Sequence, residues 1–216
     1  MIFTWETYSD RLSAEPKNNL GLGVCYNRCE DLSMNIRKIT TILCYLSEQL
    51  GGITKLQAAK LLYFIDKQHL IKYGRFVTND IYLKYQYGPV PTKVLDIINS
   101  YDDVLFDEEK KYFLDHLAID DGSKRGMRNK KLPDLDELSI SEQETIDEVI
   151  AVYGKMSVSA LVDISHEEKA WKNAEDYDML NIEDIADELP ADKKKELLSR
   201  LQQDKEINQF LRLLCA

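Results

Sequence analysis

The chain has 216 residues, 44% of them hydrophobic and 31% charged, with a formal net charge of -10. That length and balance allow a packed core and exclude a disordered or fibrous chain. No apolar run approaches the roughly 20 residues of a membrane helix, no basic start leads into an apolar leader, and the acidic balance disfavours duplex DNA, whose phosphates need surplus Lys and Arg.

Residues 1–33 show weak periodicity, the string NNLGLG and isolated Trp5 and Tyr8, and are predicted to be a weakly structured N-terminal extension. From 35 to 50, Ile36, Ile39, Leu43, Leu46 and Leu50 recur every three or four residues, one face of a helix. Gly51-Gly52 stops it. A second helix starts at Thr54, where Thr54 and Gln57 predict a capping box, and Gly74 is placed to end it. Its run 58–65 is apolar almost all round, the mark of a central helix buried on every side.

The period then changes to two. Ile81, Leu83, Tyr85 and Tyr87 alternate with Tyr82, Lys84 and Gln86, predicting a strand that Gly88-Pro89-Val90-Pro91 ends. Val94, Leu95, Ile97 and Ile98 predict a short helix. Residues 112–114 and 128–131 are each expected to supply a short strand pairing with 81–86. Ser141 with Glu144 predicts a second capping box, with Ile140 as the staple residue before a helix running to Gly154. A further helix around Val158 to Val162 leads towards His166 and Trp171, and Asn181 caps a short helix ahead of Pro190. The last segment places Leu197, Leu201, Ile207, Phe210, Leu211 and Leu214 roughly on one face of an amphipathic helix, a form that docks on a core or on a partner. The expected fold is mainly α (α+β): a helical domain around a buried central helix, a small antiparallel β-sheet and an amphipathic C-terminal helix.

Charge is unevenly spread. Residues 134–192 carry 18 acids and 3 bases, acidic enough to attract a basic partner. The basic stretch Lys124 to Lys131 reads as a solvated loop. The four cysteines and three histidines lack zinc-site spacing, so neither a metal nor a cofactor is expected. No phosphate loop, GxSxG or HExxH occurs. Asp66 and His69 lie three apart on one helix and could orient an imidazole as a base, with His166 distant in sequence. Without a nucleophile or metal set beside them, they read as a satisfied structural contact. No enzymatic activity is expected.

The string KLQAAKLLYFIDKQHLIKYGRFVTNDIYLKYQYGPVP resembles the Panacea, or SocA-like, antitoxin domain. The resemblance rests on Lys55, Lys60, Leu61, Leu62, Tyr63, Phe64, Asp66, His69, Leu70, Gly74, Arg75, Thr78, Asp80, Tyr87, Gly88, Pro89 and Pro91. A later block, Leu138, Ser139 and Glu142 followed by Ser165, His166 and Trp171, is similar to the family's second signature. The first lysine of the family's pair is displaced here, at Lys55. The resemblance implies a domain over 34–180, with 1–33 and a C-terminal helical extension over 181–216 outside it. It also implies an antitoxin that neutralises a cognate protein toxin encoded nearby by direct binding. The alternatives are a proteolytic adaptor delivering the toxin to an ATP-dependent protease, or a winged-helix-like DNA-binding regulator using Lys55, Lys60, Lys67 and Lys72. Residues shared by antitoxins of unrelated toxins should be scaffold. Toxin contacts are therefore expected outside the motif, at Leu197, Leu201, Phe210 and Leu214 or on the acidic 134–192 face. The chain is expected to be cytoplasmic, with no membrane partner.

Overall fold

The computed structural model describes residues 35–120, 122 and 126–215, with side chains in the last helix described through Gln203. The extension expected over 1–33 lies outside the described residues, as do Lys124 and Arg125 of the basic stretch. Helix dominates, with small antiparallel sheets. Among the described residues no helix is long and apolar enough to cross a membrane.

Helix α1 spans Ile36–Leu50. The Asn35 side chain accepts from the Lys38 amide at 3.2 Å, and Gly51 ends the helix at φ +70°. Strand β1 (Ile53–Thr54) leads into α2 (Lys55–Tyr73). The Thr54 hydroxyl accepts from the Gln57 amide at 3.3 Å, so the helix has a simple N-cap where a reciprocal capping box was expected. Helix α2 is the axis of the fold. Every residue from 58 to 67 is buried, and the helix packs against the hairpin and the helices that follow it. Propensity differences among ordinary residues reach only about 0.7 kcal/mol, whereas burying one Leu, Ile or Phe is worth roughly 1.5–3 kcal/mol. The packing of Leu61, Leu62, Phe64, Ile65 and Leu70 therefore holds α2 in place.

Strand β2 (Tyr82–Tyr85) turns at Gln86-Tyr87 into β3 (Gly88–Pro91), its antiparallel partner. The segment expected to end the strand is thus itself a strand. The reason lies in which way each nitrogen points. Tyr82 and Lys84 bond on their far side to Leu180 and Asp178, so Leu83 faces β3 and pairs with Val90. Pro89 and Pro91, opposite Lys84 and Tyr82, have their nitrogens turned away from the ladder, where no N–H is needed.

Helix α3 (Thr92–Val104) and helix α4 (Asp107–His116) follow. Residues 112–114, expected as a strand, lie in α4. Asp107, Glu108 and Glu109 suit its positive N-terminal end, and Glu109 accepts from the Phe106 amide at 3.2 Å. Strands β4 (Leu117–Ile119) and β5 (Gly126–Asn129) join β1 in the order β1-β5-β4, so β5 pairs with Ile53 and Ala118 and not with the 82–85 strand. A 3-10 turn (Leu135–Glu137) precedes α5 (Ile140–Tyr153). The capping box of α5 is Ser139 with Glu142, two residues before the expected pair. Ile140 is the first helical residue and is 76% exposed. Helices α6 (Val158–Glu167), α7 (Lys169–Asn173), α8 (Ile182–Ile185) and α9 (Ala191–Cys215) complete the chain.

Candidate functional site

The motif residues gather along α2 in three groups, each tying the buried helix to a loop. The first surrounds Asp66, which is fully buried. Its Oδ1 accepts from the backbone amides of Val77 at 2.7 Å and Thr78 at 2.9 Å. Its Oδ2 accepts from the Tyr82 hydroxyl at 2.7 Å and from the Thr78 hydroxyl. Burial pushes the carboxyl up to about 6, against the pull of these donors. Asp80 does comparable work at α3. Its carboxylate accepts from the amides of Ile81 (2.7 Å), Lys93 (3.1 Å) and Val94 (2.9 Å), capping a helix whose own N-cap, Pro91, has no side chain able to do so.

His69 forms the second group. Its Nδ1–H donates to the Arg75 carbonyl at 2.8 Å, which leaves Nε2 to accept from Ser141 at 3.4 Å. Burial lowers its pKa. Asp66 and His69 therefore face different partners, and neither orients the other. Gly74 ends α2 at φ +74°, with Arg200 and Leu197 of α9 lying against it.

The third group surrounds Lys60, which is 0% exposed and donates to the Pro89 carbonyl at 2.8 Å. Burial pushes its ammonium down to about 7. Gly88, at φ +93°, leaves the space it needs: a Cβ there would come within 2.7 Å of Lys60 Nζ and 2.2 Å of Ser165 Oγ. Nearby, the ring of His166 stacks on Trp171 at 4.0 Å, and Trp171 Nε1 donates to the Tyr85 carbonyl at 3.1 Å. The His166 pKa is lowered by burial and then by the Lys60 charge. Tyr87, in the hairpin turn, is 39% exposed. His166 thus belongs to the Lys60 group, so the catalytic arrangement of Asp66, His69 and His166 weighed from the sequence is not assembled.

A clasp that sequence reasoning missed completes the arrangement. Lys67 donates to Glu168 at 2.6 Å and to Glu188 at 2.7 Å, and Tyr63 donates to Glu168 at 3.2 Å. It fastens α2 to the α6–α7 junction and to the segment after α8. The available signal was a lysine inside the apolar run of a buried helix, where an ammonium needs an acceptor or a counter-charge. Leu197, a candidate toxin contact, is 4% exposed within the core, and Leu201 packs partly buried against it. These two therefore spend their apolar surface on holding α9. The side chains of Phe210 and Leu214 lie outside the described residues. Among the described residues no group of three His, Cys, Asp or Glu side chains could hold a metal ion. Cys44 is buried beside the His116 carbonyl, its thiol pushed up to about 12 by burial.

The fully buried Lys60 ammonium makes a testable prediction. The folded-state pKa of Lys60 lies below its ordinary 10.5, so between pH 7 and that value the unfolded chain binds a proton that the folded chain has released. Stability from this group then rises with pH across that window. A Lys60→Met variant is expected to lack this rise, which is on the order of a few kcal/mol at about 1.4 kcal/mol per pH unit. Denaturant unfolding of both proteins between pH 7 and 10 checks it. Parallel curves would contradict the assignment.

The fold is a mainly helical domain in which the motif residues Lys60, Asp66, His69 and Asp80 are buried and bonded within the chain. Residues 59–172 match the family described as antitoxin SocA-like, Panacea domain, and the chain belongs to that family. Neither a curated protein nor a solved structure matches the chain significantly.

Proposed function

We propose that this chain is an antitoxin that neutralises a protein toxin encoded beside it by binding it directly. The observation that carries the reading is the fate of the family motif. Lys60, Asp66, His69 and Asp80 are buried and bonded to backbone groups of the same chain. A motif consumed in this way supports a common scaffold, and recognition of a particular toxin is left to surfaces outside it. The acidic stretch 134–192 is one candidate, and Phe210 and Leu214, whose side chains lie outside the described residues, are the other that the sequence offers.

The DNA-binding alternative loses its proposed phosphate contacts. Lys55, Lys60 and Lys67 are 7%, 0% and 8% exposed, and Lys72 pairs with Glu148. The decisive experiment is co-expression with the adjacent gene. Direct neutralisation predicts that the neighbour arrests growth alone, and that this chain rescues growth and co-purifies with the neighbour. Rescue accompanied by loss of the toxin protein would favour delivery to an ATP-dependent protease. A harmless neighbour would overturn the antitoxin reading.

A further inference from the structure

The hairpin sheet has a third, outer member. Residues 177–180 run antiparallel to β2: Leu83 bridges Met179, the Tyr177 amide donates to the Lys84 carbonyl at 2.9 Å, and the Leu180 amide donates to the Tyr82 carbonyl at 2.9 Å. In this register Met179 turns its own N–H and C=O away from β2. Its amide donates to no acceptor among the described residues. The segment is therefore an open edge, and open edges recruit further strands unless they are blunted.

This edge carries apolar surface. Met179 is 61% exposed, Tyr177 57% and Ile81 41%. The Tyr177 ring is held edge-to-face on Tyr85 at 5.3 Å between centroids, on a backbone with φ +70°. Its footing is fixed from beneath by Lys84, which donates to the Ala174 carbonyl at 2.9 Å and lies 4.6 Å over the Trp171 ring. The rim is acidic. Glu175, Asp176 and Asp178 are all exposed. Asp176 is 3.7 Å from Lys84, while Glu175 and Asp178 have no ion-pair partner among the described residues.

We infer that the 175–179 edge is the docking site for an extended, basic segment of the protein toxin, which adds a strand beside Met179 and sets its cations against Glu175 and Asp178. The inference rests on the antitoxin reading above and names the surface and the chemistry of its partner. Main-chain bonding to Met179 supplies pairing, Tyr177 and Met179 supply apolar contact, and the carboxylates select a basic segment over an acidic one.

The test uses the full chain and, as probe, the product of the adjacent gene. Three variants are compared with the parent: Glu175→Lys with Asp178→Lys, Tyr177→Ser, and Met179→Pro, which removes the outward N–H at a position where an edge proline is tolerated. Circular dichroism and thermal unfolding establish that each is folded. The charge-reversed variant is expected to bind at least about tenfold more weakly, with reduced salt dependence. The Met179 amide is expected to exchange more slowly in the parent complex than in the free chain. If the parent forms its complex and all folded variants bind as the parent does, the edge is not the site, although the antitoxin reading stands. If the parent forms no complex, both fail.

Discussion

Replacing Asp66 by Ala is expected to destabilise the chain by about 4 kcal/mol or more, enough to leave a marginally stable domain largely unfolded. Four buried donors lose their acceptor together: the Val77 and Thr78 amides and the Thr78 and Tyr82 hydroxyls. Each orphaned donor costs about 1–3 kcal/mol, and the two hydroxyls can rotate while the two amides cannot. The substitution removes the acceptor of all four bonds, a carboxyl that burial holds up to about 6. Asp66→Asn keeps one acceptor oxygen and is expected to lose about half as much. Urea unfolding followed by circular dichroism orders the three proteins. A loss below about 1 kcal/mol in the Ala variant would show that this carboxylate does not lock α2 to the 77–82 segment.

Gly88→Ala is the second large effect, with an expected loss of about 3 kcal/mol. The backbone there sits at φ +93°, which an L side chain adopts only under strain of about 1–2 kcal/mol. The new methyl would also stand 2.2 Å from Ser165 Oγ and 2.7 Å from Lys60 Nζ. Lys60 can withdraw only by releasing the Pro89 carbonyl, a hydrogen bond worth about 0.5–1.5 kcal/mol. The pairing should be visible as non-additivity. Ser165→Gly opens room for the methyl, so the double variant should lose less than the sum of the single ones. Strict additivity would mean that Gly88 does not meet Ser165.

The helices were legible because their signals are local. The spacing of Ile36 to Leu50, the all-round apolar run of α2 and the glycines at 51 and 74 each report on a few consecutive residues. The β3 strand was illegible because two prolines read as a stop, and only the orientation of their nitrogens, set by the outer 177–180 segment, makes them compatible with a ladder. Strands β4 and β5 have three and four residues, too few for an alternation to show. The α5 start was misplaced because two overlapping Ser-x-x-Glu patterns compete, and Glu142 is further fixed by Lys38 at 2.8 Å. The motif residues were visible as candidates, but their partners were not. The Lys67 clasp joins residues 101 and 121 positions apart, beyond the reach of any spacing rule. Leu197 looked like a contact because amphipathicity gives a helix an apolar face without saying what covers it, and here the core does.

The most direct test of the central claim is a calorimetric titration of the purified chain into the purified product of the adjacent gene, without protease or nucleic acid. The account predicts saturable binding at a fixed stoichiometry that weakens as salt is raised, as expected when an acidic surface holds a basic partner. No binding, with growth rescue nevertheless intact in cells, would contradict neutralisation by direct contact.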